Sequence, residues 1–172
     1  VLAMALLVLL GGVACTSSTE SGKLKVVATI MPLADFVRNV GGDRVEVTTL
    51  MSAGNSPHTW EPSPDQVKTI ADARLIVING AGLEFWIDKV IEAVASPDLF
   101  IVDTSIFPGI EGSLIVADED SRGSGDSEHG INPHIWLDPV LAQKQVEAIA
   151  QALVMADPGN KDMYLENAAA YI

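Results

Sequence analysis

The residues that could do chemistry fall in two matched stretches. One is Asn55-Ser56-Pro57-His58-Thr59-Trp60-Glu61-Pro62-Ser63-Pro64-Asp65, and the other is Asn132-Pro133-His134-Ile135-Trp136-Leu137-Asp138-Pro139. Each sets a histidine after a proline, a tryptophan two residues on, and then an acid and a proline. Proline fixes its own φ and pushes the preceding residue out of the helical region, so such loops are stiff before any ligand arrives. Neutral imidazole is a ligand for zinc and for other divalent transition metals. A solitary histidine among turn formers would read as an ordinary polar loop residue. Two in the same grammar read as a pair of transition-metal ligands, His58 and His134, which only a fold can bring together.

The nearest acids have secondary roles in this reading. Glu61 could orient an imidazole from just outside the metal's own ligands, and Asp138 is more simply the N-cap of a helix. The same two acids would be the general acid or base if the site were that of a metal-dependent hydrolase. The chain has no HExxH, no nucleophile elbow and no Cys-His pair, so no catalytic residue is assigned and a binding protein is expected rather than an enzyme. His129 lies in the polar, acidic, glycine-rich run ADEDSRGSGDSEHG (117–130) and reads as a solvated loop histidine. Asn79-Gly80-Ala81-Gly82 is a turn, without the spacing or the lysine of a phosphate loop.

The elements around these loops alternate. KVVATI (25–30), VEVTTL (45–50), LIVI (75–78) and LFIV (99–102) read as strands. Between them Pro32 opens a helix with Leu33, Phe36, Val37 and Val40 on one face, closed by Gly41-Gly42. Ser63-Pro64-Asp65-Gln66 forms an N-cap, a first-turn proline and a capping box, ahead of a helix burying Val67, Ile70 and Ala71. Leu83, Trp86, Ile87, Val90, Ile91 and Val94 mark an amphipathic helix. After Asp138-Pro139 comes a helix with Ala142, Val146, Ile149, Ala150 and Leu153 on one face. Asp157-Pro158 repeats that start, ahead of a face of Leu165, Ala168, Ala169 and Ile172. LIVI is too apolar for a half-exposed strand and suits the middle of a parallel sheet. The fold class is therefore α/β, a parallel sheet flanked by helices, in which ligands bind beyond the carboxyl ends of the strands. The His58 loop and the Asn79 turn both sit at such ends.

Composition limits the partners. The 172 residues are 48% hydrophobic, enough for one core of ordinary size, and carry a net charge of −13. That charge repels a polyanion, which argues against nucleic acid as a partner. Residues 1–14 (VLAMALLVLLGGVA) are too short to span a membrane and match the apolar core of a secretion signal. Cys15, the one cysteine, follows directly. Val13-Ala14-Cys15 resembles the end of a bacterial lipobox, with Gly12 where leucine is usual, and makes Cys15 the lipidation site. The expected organisation is a signal segment over 1–15, a polar tether over 16–23 (TSSTESGK from Thr16), an α/β lobe over 24–156, and a further helix beginning at 157–172.

Taken together, MPLADFVRNVGGDRVEV, SPHTWEPSPDQV, INGAGLEFW and NPHIWLDP resemble the metal-binding lipoproteins that deliver zinc or manganese to bacterial ABC importers. The likeness runs from about Lys25 to Ile172. It implies two α/β lobes joined by a long helix, with the metal between them. His58 and His134 would be the ligands from the first lobe, and a His or Glu and an Asp would come from the second. The helix after Pro158 would be the start of the connecting helix, and the sequence would be truncated before the second lobe. The implied function is capture of Zn2+ or Mn2+ as transported ligand and its delivery to an ABC transporter permease. The implied location is across the plasma membrane, lipid-anchored on the cell envelope or periplasmic. The two histidines suit either metal, and the acidic loop does not separate them. A surface adhesin lipoprotein is the other alternative, without a sequence feature that names its partner.

Overall fold

The computed structural model of the protein describes residues 22–114 and 131–172. The signal segment with Cys15, most of the tether, and the acidic run with His129 lie outside the described residues.

Four parallel strands form one sheet: β1 (Leu24–Ala28), β2 (Val45–Thr49), β3 (Leu75–Ile78) and β4 (Phe100–Asp103), in the order β2-β1-β3-β4. Val26 pairs with Val47 on one side and with Leu75 on the other, and Leu75 pairs with Phe100. The chain crosses from β1 to β2 on one side and returns to β3 on the other. The carboxyl ends of β1 and β3 therefore form the switch point at which α/β sheets take ligands.

Alternation along each strand divides the core between two faces. Val26, Ala28, Leu75 and Val77 point into a cluster with α1 (Met31–Gly41), α4 (Pro139–Ala156) and α5 (Lys161–Tyr171). Val27, Ile76 and Ile78 point the other way, to α2 (Pro64–Ala71) and α3 (Ile87–Val94). All four residues of LIVI are buried, as a strand covered on both faces must be.

Local signals fix the helix ends. Gly42 turns out of α1 with φ of 55°, and a Cβ on Gly41 would strike the Val45 side chain. The capping box at α2 is complete: Ser63 Oγ accepts from Gln66 N, and Gln66 Oε1 accepts from Ser63 N at 2.9 Å. Gln66 Nε2 also donates to the Leu50 carbonyl at 2.7 Å, which ties the two ends of the His58 loop together.

Three helix expectations need correction. α3 begins at Ile87, not Leu83, because Gly80, Ala81 and Gly82 all have positive φ and hold the chain in a turn; Leu83 and Trp86 are buried all the same. In α2, Ala71 faces solvent, and Ala73 just beyond the helix is buried in its place. Pro158 starts a 3-10 turn (Pro158–Asn160) rather than the helix itself, so α5 begins three residues later. Asp157 accepts from Asn160 Nδ2 at 2.7 Å and from Tyr164 Oη–H at 2.6 Å instead of capping backbone N–H groups. The delay changes the phase of the helix: Tyr164 and Ala168 are buried against α1 and α4, while Leu165, Ala169 and Ile172 are exposed. Among the described residues, no helix is long and apolar enough to cross a membrane.

Candidate metal centre

The His58 loop leaves β2 and the His134 loop leads into α4, and both arrive at the carboxyl edge of the sheet. There the two imidazoles meet, with ring centroids 5.3 Å apart and planes at 62°. An ion ~2.1 Å from one nitrogen of each ring lies ~3.2 Å from each ring centre, and a tetrahedral angle then separates the centres by about 5.3 Å. The observed spacing fits two imidazoles on one tetrahedral ion.

The His134 ring is held from behind. Asn132 Oδ1 accepts from the His134 backbone N–H at 3.0 Å and lies 2.7 Å from Nδ1. An amide oxygen can only accept, so Nδ1 carries the proton and Nε2 presents its lone pair outwards. Trp136 packs edge-on against the same ring at 5.4 Å. Burial holds the His134 pKa below its ordinary value, and the nearby His58 lowers it further. Both causes favour the neutral ring that a metal needs. On the other loop, Trp60 packs edge-on against Trp86 at 5.4 Å, which anchors the chain two residues after His58.

The acids are placed less directly. Asp138 Oδ1 accepts from Val140 N at 2.8 Å and Leu141 N at 3.2 Å and caps α4. Glu61 is exposed and forms no hydrogen bond with either imidazole among the described residues. Asn132, present in the motif but given no role by sequence reasoning, occupies the orienting position expected of an acid. Also among the described residues, no group of three His, Cys, Asp or Glu side chains stands close enough together to hold an ion.

Beneath the histidines lies a polar network that sequence reasoning missed. Glu84 is 5% exposed within an apolar run. Its Oε1 accepts from Thr29 Oγ1 at 2.6 Å and Asn79 N at 2.9 Å, and its Oε2 accepts from Gly80 N at 2.9 Å. Burial raises its pKa against the pull of those three donors. Buried Gln145 of α4 donates to Asn79 Oδ1 at 3.1 Å and Thr104 Oγ1 at 2.8 Å. An acid between Leu83 and Phe85, ahead of a helix, was the only visible signal.

The site is thus a pair of neighbouring imidazoles at the switch point of a parallel α/β lobe. The chain belongs to the family described as zinc-uptake complex component A, periplasmic (ZnuA), whose pattern matches residues 26–172. It is 34% identical over 169 residues to the high-affinity zinc uptake system protein ZnuA of Bacillus subtilis, covering 92% of this chain and 52% of that protein. It is 33% identical over 158 residues to the manganese-binding lipoprotein MntA of Halalkalibacterium halodurans, covering 91% and 48%. The crystal structure of Zn(II)-bound AdcA from Streptococcus pneumoniae superposes with a TM-score of 0.73 at 32% identity, over 88% of this chain and 30% of AdcA. The chain thus spans about half the length, or less, of the relatives it matches.

Proposed function

We propose that the protein is the extracytoplasmic binding component of a metal importer. It captures a divalent transition metal, zinc or manganese, and hands it to an ABC transporter permease. The observation that carries this reading is the His58–His134 pair, 5.3 Å apart at the sheet's carboxyl edge. Relatives named for zinc and for manganese both support it.

Residues 24–156 act as one lobe, and the helix after Pro158 starts the connection to a second. The relatives' roughly doubled length leaves room for that lobe, which supplies the ion's remaining ligands. Cys15 carries the lipid that keeps the protein at the outer face of the membrane, with residues 16–23 as its tether. The metal is cargo, so ligands that come from two lobes let it leave when the lobes part. The hydrolase alternative loses support from the geometry: Asp138 is committed to the α4 cap, and Glu61 forms no hydrogen bond with either imidazole among the described residues.

The test is titration of the full-length protein with Zn2+ and with Mn2+, beside His58→Ala and His134→Ala. Each variant should lose at least a hundredfold in affinity for the cognate metal. Unchanged affinity in both would overturn the proposal.

A further inference from the structure

The connection between β3 and α3, residues 79–86, touches both histidine loops. Asn79 Nδ2 donates to the Pro133 carbonyl at 2.8 Å, the peptide unit immediately before His134. Trp86 meets Trp60, two residues after His58. Between these contacts the backbone runs left-handed, which glycine takes freely and Ala81 does not. Gly80, Ala81 and Gly82 have φ of 79°, 53° and 80° in succession. Gly80 has no room for a Cβ beside Asp103 and Ser105, and Ala81 holds a left-handed conformation that disfavours any side chain. Such a backbone persists only where its surroundings over-determine it.

Glu84 supplies much of that constraint. Its carboxyl gathers the N–H groups of Asn79 and Gly80 at the entry to the turn and the Thr29 hydroxyl from the end of β1. The cost of burying a carboxyl is large, and here three donors that would otherwise lack an acceptor offset it. We propose that Glu84 is a positioning residue for the His58–His134 pair: it locks the 80–82 turn and so sets, through Asn79 and Trp86, the separation and attitude of the two rings. The inference rests on the metal-binding reading of those histidines. It adds a residue that contacts neither of them.

The experiment uses the full-length protein with Glu84→Gln, Thr29→Ser, Thr29→Val and Asn79→Asp. In Glu84→Gln an amide N–H2 must face either Gly80 N–H or the Asn79 N–H and Thr29 pair, so the clamp loses acceptors while the shape is kept. Nitrogen–proton spectra of the imidazole rings are recorded without metal, followed by Zn2+ and Mn2+ titration and thermal melting. Glu84→Gln should move the ring resonances of both histidines in the folded, metal-free protein and weaken affinity at least tenfold. Thr29→Val should do the same to a smaller extent, Thr29→Ser should resemble the parent, and Asn79→Asp should move His134 alone. A folded Glu84→Gln with a lower melting temperature, unmoved rings and affinity within twofold of the parent would overturn the proposal, since Glu84 would then be merely structural. If Glu84→Gln does not fold, Thr29→Val and Asn79→Asp decide by the same ring shifts, and unmoved rings in both overturn it. If His58→Ala and His134→Ala leave affinity intact, the metal reading fails, and the ring spectra still report whether Glu84 positions the two imidazoles.

Discussion

A proton and a metal ion compete for the same imidazole lone pair, and the surroundings of His134 disfavour the proton. Desolvation and the neighbouring His58 depress its pKa, so the ring is proton-free below the pH at which an ordinary histidine charges. A base with a depressed pKa in the fold is neutral above that value, and binding is lost only as pH falls through it. Metal affinity of the full-length protein should therefore be flat near neutral pH and fall in acid, below the pH at which an ordinary histidine charges, which titration at pH 7.5, 6 and 5 would read. Asn132 acts one step further out. Asn132→Ala removes the acceptor that fixes the Nδ1 proton, and affinity should fall about 10- to 100-fold with the fold intact. The histidines were legible in the sequence because their type and the flanking prolines announce stiff, polar loops. Asn132 stood in the same motif unrecognised, since an amide next to a proline reads equally well as a turn former. Glu84 was hidden for another reason: its partners are two backbone N–H groups and a threonine 55 residues away, and only the folded chain brings them together.

The elements were readable where local chemistry decides and misread where tertiary contacts do. Ser63 with Gln66 and Asp138 with Pro139 are caps written in four or fewer residues, and both appear as expected. LIVI announced the centre of a parallel sheet by having no polar side to show water. The start of α5 was not readable, because Asp157 has a stronger partner in Tyr164, buried at 0% exposure, than in the helix backbone. The α3 start failed similarly, with Leu83 and Trp86 buried by the turn rather than by a helix face. Two stability outcomes follow from these contacts, both measured by urea unfolding. Ser63→Ala removes a cap and should cost about 1 kcal/mol. Ile70→Ala opens a cavity under a residue with 0% exposure and should cost about 2–5 kcal/mol.

At the scale of the molecule, the charge of −13 attracts cations in general, and selectivity has to come from the ligand set. The described residues bring two imidazoles together and no third donor of the His, Cys, Asp or Glu type beside them. Two imidazoles leave a tetrahedral ion half its positions, whereas four protein ligands close the site. On the proposed two-lobe reading, residues 22–172 alone should bind zinc more weakly than the two-lobe protein by orders of magnitude, as competition with a chromogenic chelator would show. Anomalous diffraction from crystals of the full-length protein loaded with zinc or manganese would locate the ion. A single strong peak is expected at the carboxyl edge of the sheet, ~2.1 Å from one nitrogen of His58 and one of His134. A peak elsewhere, with both imidazoles free of metal, would contradict the two-histidine site.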